Sequence, residues 1–111
     1  MKKIEAIIRP ERLDVVRKAL EDCGYPGMTI SEVRGHGKQH TTQQWRGQEY
    51  IVEFSSRLKI EIVVLDGDVS RIMNAIVHGA RTGETGDGNI FILPVENAVR
   101  IRTGDEGENA I

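Results

Sequence analysis

Residues Leu58 to Leu65 read LKIEIVVL. Leu58, Ile60, Ile62 and Val64 fall on one side of an extended chain, with Lys59, Glu61 and Val63 on the other. That period of two marks a strand with one face on a core. Downstream, Asp66 and Asp68 stand where helix caps are expected. Val69, Ile72, Met73, Ile76, Val77 and Ala80 then form the apolar stripe of an amphipathic helix. Thr82 to Gly88, TGETGDG, holds three glycines in seven residues and reads as a loop. Ile90 to Val95 is a short apolar strand, and Val99 and Ile101 alternate with Arg100 and Arg102 in a last short strand. The acidic tail from Gly104 to Ile111 is expected to be mobile unless a partner orders it.

Upstream, Met28 to Arg34 reads as a weaker strand after a Pro26-Gly27 turn. Leu13, Val16, Leu20 and Cys23 make the stripe of a first helix, entered at Pro10 and ended by Gly24. Ile4, Ala6 and Ile8 alternate with Glu5, Ile7 and Arg9 in a first strand over Lys2 to Arg9. The order strand, helix, strand, strand, helix, strand is the α+β, ferredoxin-like βαββαβ arrangement with an antiparallel sheet. It occupies a single domain, residues 1–111. Both helices then cover one sheet face. Ile7 and Val63 lie on the other, so another subunit is expected to cover it.

Gly35 to Phe54, GHGKQHTTQQWRGQEYIVEF, interrupts this frame where a simple hairpin turn would suffice. It is polar and lacks an apolar period. A structureless insert of this length is uncommon in a small domain, and is usually functional or disordered.

Net charge is -2, with the signs mixed along the chain. That lacks the basic face a general nucleic-acid or membrane-surface binder needs. The one cysteine, Cys23, excludes an internal disulfide and suits a buried, inert thiol. No run approaches the ~18 apolar residues of a membrane span, so no direct membrane insertion is expected. The start, MKKIEAIIRP, has no continuous apolar region, and a cytoplasmic protein is expected.

Candidate chemistry is sparse. His36 and His40 lie four apart in the long loop and His78 at a helix end, without the three or four ligands zinc normally takes. No nucleophile–base set stands out, so an enzyme is not the leading reading. Gly35-His36-Gly37 and TGETGDG can both present backbone N–H groups to phosphates, although a tight turn explains either one alone. Arg100 and Arg102 add cations for a polyanion, or protect a sheet edge. Trp45 beside Arg46 is an interface anchor, unless Trp45 folds back on the domain.

Taken together and in order, MKKIEAIIRPERLDVV, GMTISEVRGHGKQ, RGQEY, KIEIVV, TGETGDGNIF and RIRTGDEGENAI resemble the PII nitrogen-regulatory signal proteins, of the type that regulates ammonium transporters. The resemblance runs along nearly the whole chain. It equates about residues 37–54 with the family's T-loop, about 82–89 with its B-loop and about 100–111 with its C-terminal loop. It implies a homotrimer that binds ATP or ADP in clefts between subunits. Ile7, Gly35, Lys38, Gln39, Glu61, Val63, Gly86, Asp87, Gly88, Asn89, Arg100 and Arg102 stand at nucleotide-site positions. Gln39 matches the Mg²⁺ ligand at the loop base, where 2-oxoglutarate also binds the metal, and Arg57 stands where a lysine pairs with 2-oxoglutarate. Trp45 and Arg46 would meet a partner, with Arg46 matching the loop-tip arginine that enters an Amt-type ammonium transporter. Tyr50 matches a tyrosine uridylylated in some members. Nitrogen-assimilation enzymes are further implied partners, and membrane association would run through the transporter.

The chain departs from the family pattern at Asn89 and Glu84, where lysines are common, at Arg57, and in a T-loop one residue shorter than usual. A second reading is therefore a PII-like trimer that binds nucleotide with a lost or altered 2-oxoglutarate response. A third, a small enzyme or RNA-binding ferredoxin-like domain, lacks a catalytic set and the aromatic pair that stacks bases.

Overall fold

The computed structural model describes residues 1–35, 41–45, 48–52 and 55–111. β1 (Lys2–Ile8) leads through a 3-10 turn at Pro10–Arg12 into α1 (Leu13–Asp22). β2 (Thr29–Gly35), β3 (Thr41–Trp45), β4 (Gln48–Val52) and β5 (Ser55–Val64) follow. A 3-10 turn at Asp66–Asp68 then precedes α2 (Val69–Ala80) and β6 (Asn89–Pro94). Four strands make one antiparallel sheet in the order β2-β5-β1-β6. This is the ferredoxin-like frame that the sequence pattern predicts.

Alternation along the strands puts the core on one face. Ile4, Ala6 and Ile8 of β1 and Ile60, Ile62 and Val64 of β5 are buried beneath Val16 and Leu20 of α1 and Ile72, Ile76 and Ala80 of α2. The helices touch where Gly79 meets Val16. A Cβ on Gly79 would lie 3.2 Å from Val16 Cγ2, so only a small residue allows this approach. Tyr25 joins the end of α1 to the start of α2, its hydroxyl donating to the Asp68 carboxylate. On the opposite face, Lys3 Nζ lies 2.8 Å from Glu61 and 3.0 Å from Glu5. Ile7 and Val63 are half-buried there in the single subunit.

Four expectations need correction. First, the long insert contains a second, two-stranded sheet: β3 pairs with β4, Thr41 opposite Val52 and Trp45 opposite Gln48. Thr41 and Thr42 oppose Val52 and Ile51, and such β-branched residues favour strand even without an alternating core pattern. Second, Asp68 stands at the N-cap of α2 but its side chain makes no capping hydrogen bond, and Asp66 lies two residues before it. Both lie within a 3-10 turn, where Asp66 meets the Met1 amino group at 2.9 Å and Asp68 meets Arg71 at 3.1 Å. Third, Val99 to Arg102 is no strand. Val99 makes one isolated bridge to Glu106, and the chain folds back through Gly104, whose N–H donates to the Arg100 carbonyl at 2.7 Å. Beyond it the tail closes in a 3-10 turn at Gly107–Ala110. Fourth, Cys23 is only partly buried against the core.

Ile60 is fully buried on the central strand β5. Ile60→Ala removes its packing and leaves a cavity, and should destabilise the protein by about 3 kcal/mol. Urea unfolding checks this, and a change below ~1 kcal/mol would contradict the assigned core.

Candidate functional site

The loop that follows α2, residues 82–88, returns the chain to the sheet edge at β6. It turns through Gly83, Gly86 and Gly88 with φ of 88°, 93° and 105°, conformations that other residues rarely adopt. Gly88 has a further reason to be glycine. A Cβ there would sit 1.7 Å from the Ile7 carbonyl oxygen, so the loop lies directly on the backbone of β1.

Asp87 organises the loop from within. Its carboxylate accepts the Thr82 N–H at 2.9 Å, the Gly83 N–H at 3.0 Å and the Thr82 hydroxyl. Arg9 Nε, from the end of β1, donates to the same carboxylate at 3.0 Å, and Arg9 Nη2 donates to the Thr85 carbonyl at 2.6 Å. The Thr82 hydroxyl and N–H, with the help of Arg9 and Gly83, hold the Asp87 carboxyl far below the usual carboxylate range. A cavity of about 340 Å³ opens between the loop, α2 and β1. Met73 and Val77 give it apolar walls, and Asp87, Gly88 and Asn89 give it polar ones.

The structure gathers Ile7, Asp87, Gly88 and Asn89 around this cavity, with Gly86 in the same loop. Ile7 and Asn89 are paired neighbours on β1 and β6. Glu61 and Val63 share the sheet face with Ile7 but lie further along β5. The Lys3 ammonium, through its hydrogen bond, holds the Glu61 carboxyl below its usual range. Gly35 pairs with Ser55 at the far end of β2. Arg57 stands nearby in a groove of about 370 Å³ with Glu32 and Arg34, and donates to the Ser56 carbonyl at 2.8 Å. Arg100 lies 3.6 Å from Asp105, and Arg102 is exposed in the adjoining turn. Among the described residues, no hydrogen bond or ion pair joins either arginine to the glycine loop. Lys38, Gln39 and Arg46 lie outside the described residues; Trp45 falls in β3 and Tyr50 in β4.

Two residues of the site went unassigned in the sequence. Arg9 reads there as the last residue of a strand, and Thr82 as one polar residue of a loop. For Thr82 a local signal existed: a threonine five residues before an aspartate across glycines is suited to side-chain closure of a turn. Arg9 carries no comparable signal, because its partners lie 76 and 78 residues away.

The family described as "Nitrogen regulatory protein P-II" matches residues 1–105. Among curated proteins, the nitrogen regulatory protein P-II of Synechocystis sp. is 57% identical over 112 residues, covering 100% of both chains. That of Pasteurella multocida is 54% identical, again over 112 residues and 100% of both. These alignments have one position more than the 111 residues of this chain. A solved structure of Arabidopsis thaliana PII bound to citrate superposes with a TM-score of 0.83 at 44% identity. The match covers 99% of this chain and 91% of that one.

Because the folded state depresses the Asp87 pKa, its stabilisation is complete above the ordinary carboxylate value of about 3.9 and is lost as pH falls below it. Glu61, Asp66 and Asp68 are depressed as well and act in the same direction. Asp87→Asn should therefore lower the melting temperature at pH 7 and flatten its decline between about pH 4 and pH 2.5. Parallel wild-type and variant curves would rule out this role.

Proposed function

Since this chain belongs to the P-II nitrogen regulatory protein family, we propose that it is a signal-transduction regulator of nitrogen assimilation that acts by binding, not by turnover. Its ligands are ATP or ADP and, with Mg²⁺, 2-oxoglutarate. Its working form is a homotrimer, and its partner is an Amt-type ammonium transporter, which accounts for any contact with a membrane. No helix among the described residues is long and apolar enough to cross one.

The glycine loop lying on the Ile7 carbonyl is the observation that carries this reading. Backbone N–H groups presented by such a loop can receive phosphate oxygens with no side chain in the way. Asp87 does not face a ligand as a free carboxylate, since four donors already occupy it. Its part is to hold the loop closed. Assembly supports the rest: the sheet face with Ile7 and Val63 is half-exposed in one chain, and the separation of Arg100 and Arg102 from the glycine loop suits a cleft that they complete from a neighbouring subunit.

Output runs through the insert. The β3–β4 ladder shares no strand with the main sheet. A lone two-stranded ladder is only marginally stable in water, so a few kcal/mol of ligand binding at its base can redistribute its conformations. Gln39 with Mg²⁺ and 2-oxoglutarate is the proposed base, Trp45 and Arg46 the partner surface, and Tyr50 a modification site. The plant PII bound to citrate supports a polycarboxylate ligand for this fold. The second reading, nucleotide binding with a lost or altered 2-oxoglutarate response, is favoured by Arg57, whose guanidinium already donates to the Ser56 carbonyl.

Calorimetry with ATP and ADP, each with and without 2-oxoglutarate and Mg²⁺, tests both. Saturable binding of ATP strengthened by 2-oxoglutarate is expected, with 2-oxoglutarate strengthened equally by ATP. Nucleotide binding indifferent to 2-oxoglutarate selects the second reading, and no binding at millimolar nucleotide excludes both. Light scattering should give a mass near three times 12.4 kDa.

Asn89→Lys restores a cation beside the loop. One new charge-assisted hydrogen bond is worth ~1.5–3 kcal/mol, so ATP affinity should rise about tenfold or more. An unchanged ATP affinity in the same calorimetry would remove Asn89 from the phosphate site.

A further inference from the structure

The geometry points to Arg9 as the positioning residue of the glycine loop. It fixes where the loop's N–H groups stand relative to the sheet, and so sets affinity for the phosphates of a nucleotide. This rests on the nucleotide reading above and adds a residue to it.

Among the described residues, the loop's other side-chain hydrogen bonds are local. Thr82 and Gly83 donate to Asp87 within five residues, and the Glu84 N–H donates to Thr82 Oγ1 at 3.2 Å. Such bonds set the loop's internal shape but cannot fix its place on the domain. Two contacts among the described residues do that. Gly88 rests on the Ile7 carbonyl, and Arg9 reaches Asp87 and the Thr85 carbonyl. Ile7 and Arg9 are two residues apart on one chain, so both anchors come from the end of β1.

Arg9 is itself held firmly. Its carbonyl accepts the Arg12 N–H at 3.0 Å, closing the 3-10 turn, and Pro10 follows it with a restricted φ. Its side chain is 21% exposed and that of Asp87 26%, so the ion pair is shielded on both sides. A planar guanidinium can direct Nε to a carboxylate and Nη2 to a carbonyl at once, while a lysine ammonium cannot reproduce that fork. Arg9 also neutralises Asp87, which would otherwise add a negative charge beside Glu84 where phosphates are to bind.

Arg9→Lys, Arg9→Ala and the wild type are titrated with ATP, ADP and adenosine, and loop amide hydrogen exchange is measured without ligand. Both variants should bind ATP and ADP about tenfold or more weakly, with adenosine within twofold, because adenosine has no phosphate for the loop to meet. Exchange at residues 82–88 should speed up while α1 and α2 stay protected. Arg9→Lys binding ATP within twofold of wild type would overturn the proposal. So would an equal loss for adenosine, or unchanged loop exchange. If Arg9→Ala fails to fold, the Arg9→Lys titration and exchange decide alone. Wild type that binds no nucleotide fails the functional reading instead, and the exchange comparison still judges Arg9.

Discussion

All seven residues of β1 pair with β5, and six of them pair with β6 on the other side. This register assigns every side chain of the central strand. Ile4, Ala6 and Ile8 go to the core, and Lys3, Glu5 and Ile7 to the opposite face. A slip of one residue would exchange the two sets, placing Lys3 and Glu5 under the helices. The cost of burying those charges makes the register unambiguous. The same register sets the Ile7 carbonyl where Gly88 can cover it and brings Arg9 within reach of Asp87. Core and candidate site therefore share one origin.

The glycine loop shows how a polar segment acquires a fixed shape without a core of its own. Three positive-φ glycines let the backbone turn tightly, at an entropic cost when the loop is ordered. The Asp87 carboxylate offsets that cost by gathering donors from Thr82, Gly83 and Arg9. Ionised, it accepts all of them at once, and its depressed pKa is the thermodynamic counterpart of that role. Preorganisation of this kind leaves less conformational entropy to be lost on binding the proposed phosphate ligand.

The two ends of the chain's proposed signalling path have different mechanical character. The loop on β1 is pinned to the most thoroughly paired strand of the sheet. The β3–β4 ladder belongs to a separate two-stranded sheet. Binding energy gained at a rigid element can bias a marginally stable one, whereas the reverse arrangement would spend it on local distortion.

Much of this was legible in the residues. Period-two alternation in LKIEIVVL and the helical stripes through Val16 and Leu20 and through Ile72 and Ile76 dictate elements and buried faces, because hydrophobic burial acts on local pattern. TGETGDG announced its loop because glycine is the residue that enters positive φ freely. The β3–β4 ladder was less legible, since its strands have no apolar alternation to a core. The roles of Arg9, Asp68 and Val99 were not legible at all. Arg9 acts on residues 76 and 78 positions away, Asp68 answers a tyrosine 43 positions earlier, and the segment after Val99 folds back on itself. Alternation determined the four main strands and two helices, and the ordered motifs carried the family likeness. Which polar groups meet was decided only by the tertiary fold, because a hydrogen bond needs its partners within ~3 Å and that proximity is created by packing.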